Sequence, residues 1–448
     1  MRQKQLFGAL AFLLVPSGAI AQEGKQWSLD ECINYALANN IQLKQNELTK
    51  RQSEVDVQQS KAALFPSLSF STNHNTSWRP WSQSYVNLSG GTMTSTSSEV
   101  NYNGSYGLNA NWTVWNGGRN QKNIEKSKLT NEQSQLTSEQ TANSIQEQIA
   151  QLYVQILYQT EAVRVNKEVL EASKLQRDRA KEMVELGSLA RVDLVQLEAQ
   201  VSQDEYSVVQ SQTQLENYKV QLKQVLELVG EEQFDVAIPR VDDSRVMAAV
   251  PSKSTIYASA IETRPEIQSG KLSIVSSELD IDIAKRGYLP TLSLSASIGS
   301  NHSSGIETAI TRQLKNNLSN SIGLTLSVPI FDNRQNKSNV QKAKLARESS
   351  ELSLQNTQKE LYTEIENYWL NAVSAQQQYK AAKVSAESMQ ESYKLVSEQF
   401  KLGLKNIVEL TTGKNNLLQA EQQLLQSKYT ALYNLAMLRF YAGEKITL

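Results

Sequence analysis

The side chains able to carry covalent or metal chemistry are few: one cysteine, Cys32, and two histidines, His74 and His302. A structural metal site draws about four nitrogen or sulfur ligands from close spacings, and a reactive thiol needs a neighbouring base. Neither pattern is present. Cys32 stands on a helix-periodic stretch and reads as a small buried residue. His74 and His302 occupy equivalent segments, Asn73-His74-Asn75 and Asn301-His302-Ser303, without a cysteine or carboxylate beside them, and read as exposed loop histidines. No phosphate loop, HExxH or EF-hand pattern occurs, so the residues imply no catalytic constellation, metal or cofactor. Lys and Arg number 45 against 46 Asp and Glu, with no block of like charge, which excludes the electrostatics of a nucleic-acid binder.

The chemistry being sparse, the information lies in the elements. Arg2 and Lys4, an apolar run from Leu6 to Val15, and Ala19-Ile20-Ala21 before Gln22 form the charged, apolar and small-residue parts of a secretory leader over residues 1–21. Its removal changes the formal charge from −1 to −3. Beyond it no run of about 18 apolar residues occurs, so a membrane could be crossed only by a closed β-barrel.

The chain is internally duplicated. Trp115-Asn116-Gly117 matches Phe331-Asp332-Asn333, and Leu186-Gly187 with Val192-Asp193-Leu194 matches Leu402-Gly403 with Val408-Glu409-Leu410, both at an offset of 216 residues. Leu64-Phe65-Pro66-Ser67-Leu68-Ser69 pairs with Tyr288-Leu289-Pro290-Thr291-Leu292-Ser293 at an offset of 224. A first repeat over 22–230, a linker over 231–253 and a second repeat over 254–448 follow.

Each repeat changes its hydrophobic period twice. Ser28 to Leu64 reads as one helix ended by Pro66. In the segment 66–115, Leu68 and Phe70, then Tyr106, Leu108, Ala110, Trp112 and Val114, alternate with Ser, Asn, Gly and Thr. The segment 290–331 repeats the alternation, from Leu292 to Ile298 and from Ile322 to Ile330. That predicts four strands, each with an apolar and a polar face, and Trp78, Trp81, Trp112 and Trp115 stand where interfacial girdles belong. Four strands cannot close a barrel, for which at least about eight are needed, so the chain must oligomerise to span.

Proline-free stretches then run from Gly118 to Leu186 and from Arg334 to Leu402. As helices, at 1.5 Å per residue, each reaches ~100 Å, beyond any globular core. Ile145, Ile149, Leu152 and Ile156, and Leu361, Ile365, Tyr368 and Ala372, form sparse coiled-coil seams. Each helix turns at a glycine, Gly187 or Gly403, and a second returns, closing helical hairpins over 118–229 and 334–441.

In this order, and twice, the chain resembles the TolC-like outer membrane factors. The resemblance rests on Ala36-Leu37-Ala38-Asn39-Asn40, Phe65-Pro66-Ser67-Leu68, Arg264-Pro265-Glu266-Ile267, Leu289-Pro290-Thr291-Leu292, Pro329-Ile330-Phe331-Asp332-Asn333 and the two turn motifs. It implies a mixed α and transmembrane-β fold, with three chains forming a 12-stranded barrel in the outer membrane continued by a 12-helix α-barrel across the periplasm. It further implies a homotrimeric, non-enzymatic exit duct of a Gram-negative cell, in contact with outer-membrane lipid, a periplasmic adaptor protein and an inner-membrane transporter. The linker and the C-terminal end would form an equatorial belt.

By the same resemblance the adaptor-docking tips are Gly187, Ser188, Leu189, Gly403 and Leu404. Glu409 and Thr412 take the positions of the pore constriction, with Thr412 departing from the family's second acidic residue. Asp193, Phe400 and Lys405 take those of the gate latch, with Phe400 lacking the family's hydroxyl. Three Glu409 carboxylates in a narrow pore would attract cations and bind divalent ions. The expected role is small-molecule efflux; type I protein secretion is the alternative, and a secreted coiled-coil structural protein the alternative of another class.

Overall fold

A computed structural model of the chain describes residues 26–88, 91–230, 234–239, 242–306 and 308–448. The leader over 1–21 and part of the linker (231–233 and 240–241) lie outside the described residues.

A two-residue strand β1 (Gln26–Trp27) leads into α1 (Leu29–Asn39), whose N-terminus is closed by a reciprocal capping box between Ser28 and Glu31. The sequence reading of one helix to Leu64 is corrected here. Asn40 leaves helical geometry at ψ 131°, and its side-chain oxygen accepts from the backbone N–H of Gln42 at 2.9 Å, starting a new helix, α2 (Ile41–Ala62). A side chain that caps the helix to follow competes with continuation of the helix before it. Strands β2 (Ser67–Leu88) and β3 (Gly91–Trp115) follow, then the helical hairpin of α3 (Arg119–Glu185) and α4 (Arg191–Val225). The linker carries strand β4 (Asp235–Val236), which pairs in parallel with β1, and a short helix α5 (Asp243–Val246).

The second repeat runs through α6 (Lys253–Thr263), α7 (Pro265–Lys285), β5 (Thr291–Ser303), a short α8 (Ile310–Asn316), β6 (Ser319–Ser327), α9 (Gln335–Lys401) and α10 (Ile407–Tyr441). Both α3 and α9 have 67 residues, as the proline-free stretches require. The sheet-to-helix turns also keep the duplication: Gly117 and Gly118 have φ of 71° and 75°, and Asn333 and Arg334, 216 residues on, have 50° and 68°. In the first repeat a Cβ at 118 would meet the Arg286 guanidinium at 2.6 Å, which explains why glycine occupies that turn.

The four long strands form one antiparallel sheet in the order β2-β3-β5-β6. Leu68, Ala110, Ala296 and Ile322 stand in one row across it, and Phe70, Leu108 and Ile298 in the next row of the same face. Ser69, Asn109, Ser297 and Ser321 form the row between, on the opposite face. Among the described residues no element covers the apolar face: Phe70 is 67% exposed and Ile322 is 82% exposed. Among the described residues the outer edges of β2 and β6 have no partner strand. Among the described residues no helix is long and apolar enough to cross a membrane.

β2 and β3 are longer than the apolar alternation marks, at 22 and 25 residues. Their ladder runs without a break through Asn73-His74-Asn75, so His74 lies on β2 and His302 on β5, not in loops as the sequence suggested. His302 is also buried, at 5% exposure. Trp78 and Trp81 belong to β2 itself.

Helix order follows strand order. Beside the sheet, α2 packs on α3, α3 on α7, and α7 on α9; toward the turns, α4 packs on α3, α3 on α10, and α10 on α9. Two columns are continuous helices, and two are assembled from stacked pairs. At one junction Asn40 Nδ2 donates to the Val225 carbonyl at 3.2 Å, setting α2 end-on to α4. At the other, Ser259 Oγ donates to the Ala442 carbonyl at 3.0 Å beside the start of α7. The main core lies at these junctions, where Cys32, Ile149, Ile156, Ile267, Ile365 and Tyr441 are buried together. Cys32 is fully buried, as read.

Candidate pore gate at the helical turns

At the end far from the sheet each helical hairpin closes with the same turn. Ser188 N donates to the Met183 carbonyl at 2.9 Å and Gly187 N to the Val184 carbonyl at 3.0 Å. Leu404 N and Gly403 N repeat this with the carbonyls of Gln399 and Phe400. Both glycines are left-handed, at φ 71° and 74°, as a Schellman ending requires. Gly187, Ser188, Gly403 and Leu404 are exposed, while Leu189 turns inward.

Leu189 and Leu194 of the first turn meet Phe400, Val396, Ile407 and Leu410 of the second in a separate apolar cluster. Phe400, without a hydroxyl, is therefore a packing residue of this joint. Asp193 and Lys405 are not brought together: no hydrogen bond or ion pair joins them among the described residues. Lys405 instead donates to the Glu409 carboxylate one turn along. Glu409 also caps its own helix, accepting from Asn406 N at 3.1 Å while Asn406 Oδ1 accepts from Glu409 N at 2.9 Å. The Lys405 ammonium, followed by the Asn406 N–H, holds the Glu409 carboxyl below the usual carboxylate range. Thr412 is exposed three residues on, on the same helix face as Glu409, whereas Ile407, Leu410 and Lys414 are buried.

Lys414 is the member of this region that sequence reading missed. It is 3% exposed, and its ammonium lies 2.6 Å from Asp204 Oδ2 and 3.0 Å from Ser173 Oγ. Ser173 donates to the same carboxylate oxygen at 2.5 Å, and Gln200 Nε2 donates to Oδ1 at 2.8 Å. One polar knot thus joins α3, α4 and α10 within a coiled-coil seam. Burial pushes the Lys414 ammonium below its ordinary value, against the pull of Asp204. The signal was legible: Leu197, Val201, Asp204 and Val208 fall at spacings of four, three and four, and Lys414 falls seven residues after Ile407, so both charges sit on apolar stripes. Gln176 Nε2, which donates to the Tyr393 hydroxyl at 2.6 Å, ties α3 to α9 at the same level.

A second buried charge node holds the α10 to α7 junction. Arg264 donates to Glu147 and Glu266 at 3.0 Å each, and its guanidinium lies 4.0 Å over the Tyr441 ring centre. Burial raises the Glu147 carboxyl above the usual range, more than Arg264 lowers it.

A four-stranded sheet with a bare apolar face, a Ser- and Asn-rich opposite face and two open edges, set end-on to four helical columns, is one third of a membrane-spanning duct. Three copies supply a twelve-stranded barrel and twelve columns. The chain belongs to the outer membrane efflux protein family, whose model matches residues 32–227 and 256–444. It is an outer-membrane protein that extends into the periplasm. Among its relatives it is 24% identical to the outer membrane protein TolC of Escherichia coli over 301 residues, 64% of this chain and 58% of that one. It is 22% identical to the alkaline protease secretion protein AprF of Pseudomonas aeruginosa over 306 residues, 66% of this chain and 62% of that one. With TolC of Salmonella enteritidis the matched stretch spans 38% of the relative. Its fold is that of the CusC channel, at a TM-score of 0.75 and 17% identity over 92% of this chain and 91% of that one. The Campylobacter jejuni CmeC outer membrane channel agrees, at 0.74 and 20% identity over 94% and 87%.

Proposed function

We propose that the trimer is the passive exit duct of an efflux machine, carrying small molecules from a periplasmic adaptor and an inner-membrane transporter to the exterior. The carrying observation is the register of the sheet: the rows from Leu68 to Ile322 and from Phe70 to Ile298 face one way and the Ser- and Asn-rich row between them the other, above ~100 Å columns that end in exposed turns. Gly187, Ser188, Leu189, Gly403 and Leu404 dock the adaptor. Glu409 and Thr412 of each chain line the constriction, and Asp193, Phe400 and Lys405 belong to its latch. Because each Glu409 is paired within its own helix, Lys405 offsets the charge that three bare carboxylates would present. Type I protein secretion is the second reading, favoured by the secretion role in the name of the relative AprF.

Planar-bilayer conductance of the purified trimer tests this reading. Divalent-cation block weakens in Glu409→Ala and strengthens in Lys405→Ala, which frees the carboxylate. Unchanged block in both variants overturns the constriction assignment, and failure of folded trimers to conduct overturns the duct.

A further inference from the structure

The two histidines, far apart in the chain, meet on the sheet. His74 of β2, Gly104 of β3 and His302 of β5 stand in a single row. Strand alternation puts that row on the face that carries Leu68, Phe70, Leu108 and Ile298. It lies between the row of Phe70, Leu108 and Ile298 and that of Trp78 and Val100, flanked by Tyr102 and Tyr106, where an aromatic girdle meets the outer membrane surface.

Gly104 makes the meeting feasible. A Cβ there would lie 2.1 Å from His302 Cε1, so the space a side chain would fill is taken by the His302 imidazole. That ring stacks on Tyr106, with centres 5.9 Å apart and planes at 19°, and stands 5.5 Å from the Tyr102 ring. Its Nδ1 is buried and has no hydrogen-bond partner. A buried nitrogen left unpaired in this way calls for an occupant. Across Gly104, His74 Nδ1 is 2.8 Å from the Tyr102 hydroxyl, and His74 Nε2 is 3.0 Å from Thr72 Oγ1. Two imidazoles and a phenol are therefore neighbours on one patch of the sheet, with ring centres 5.5 to 6.3 Å apart.

We propose that His74, His302 and Tyr102 form a binding site for a divalent transition-metal ion of the copper type. No cluster of three His, Cys, Asp or Glu side chains occurs among the described residues, and here the third donor is a phenol. Two imidazoles bound on opposite sides of one ion, at ~2.0 Å per nitrogen, place their ring centres about 6 Å apart; the His74 and His302 centres are 6.3 Å apart. Cu2+ heads the affinity order for nitrogen and oxygen donors and favours the planar arrangement in which imidazoles stand opposite. Binding exchanges the hydrogen bond between Tyr102 and His74 for coordination, and the phenol proton passes to water. No electron is transferred. Occupancy staples β2 to β5 across β3 and fixes the outer end of the barrel. The site requires only the register of the sheet and stands whatever the duct carries.

Copper titration of the metal-free, folded trimer in detergent, followed by calorimetry and visible absorption, tests the site. One Cu2+ binds per chain, with a phenolate-to-copper charge-transfer band. His74→Ala, at an exposed position, weakens binding by roughly tenfold or more. Tyr102→Phe abolishes the band while retaining the imidazole ligands, and His302→Gln repeats the His74 effect with the trimer intact. Three results overturn the proposal: no saturable binding, binding unaffected by His74→Ala, or Zn2+ binding as tight as Cu2+ without the band.

Discussion

Replacing Lys414 by methionine removes the cation from a knot in which the Lys414 and Asp204 side chains are only 4% and 8% exposed. Breaking one partner of such a buried pair costs ~3–5 kcal/mol, because the remaining charge is stranded. Asp204 keeps its hydrogen bonds from Ser173 and Gln200, which temper the loss, so ~2–4 kcal/mol per chain is expected. Lys414→Met with Asp204→Asn leaves no buried charge and recovers most of that amount, since neutral replacements of buried pairs are often well tolerated. The knot joins α10, which carries Glu409 and Thr412, to the first helical hairpin, so movement of α10 away from α3 and α4 must break it. If opening does this, ~2–4 kcal/mol shifts the ratio of open to closed states by about 30- to 1,000-fold. Single-channel open probability, measured beside thermal melting of helical circular dichroism, reads both effects. A Lys414→Met trimer with wild-type melting, or a double variant no better than the single, would refute the reasoning about buried charge. Unchanged open probability with lowered melting would refute the link to the gate.

Other perturbations test separate parts of the account. Gly187→Ala and Gly403→Ala each place a Cβ in a left-handed turn with open space around it, so each costs ~1–2 kcal/mol of backbone strain alone and lowers the melting temperature without altering conductance. Arg264→Leu strands Glu147 and Glu266 at the α10 to α7 junction and costs ~3–5 kcal/mol, visible as a less stable trimer. The Glu409 carboxyl is held below its ordinary value of 4.5, so its pair with Lys405 is intact at and above that pH and is lost as pH falls through the lowered value. Divalent block should therefore persist at pH 4.5 and titrate away only in stronger acid; a midpoint above 4.5 would contradict the pairing.

Much of the fold was legible because two periods and a duplication are written plainly into the chain. The proline-free stretches became α3 and α9 almost residue for residue, and the glycines at 187 and 403 became left-handed helix ends for the reason glycine is used there. The break at Asn40 was hidden because apolar spacing continues across it, and only its side-chain bonds to Gln42 and to the end of α4 decide the matter. Strand length was underestimated because the outer parts of β2 and β3 carry only scattered apolar residues, such as Trp78, Trp81 and Val100, with no sustained alternation to count. The meeting of His74 with His302 depends on β3 lying between their strands, a long-range register no local pattern encodes. At the gate, family correspondence assigned Lys405 to the latch together with Asp193, whereas the four-residue spacing to Glu409 offered a nearer partner on the same helix face.

The most direct test of the membrane-spanning duct is cysteine labelling in intact outer membranes, feasible because the native Cys32 is fully buried. Ser69→Cys and Ser297→Cys, on the polar face, should react with a water-soluble maleimide, while Phe70→Cys and Ile298→Cys, one residue on in each strand, should react only with a lipid-soluble one. Equal labelling of both faces from water would contradict the account.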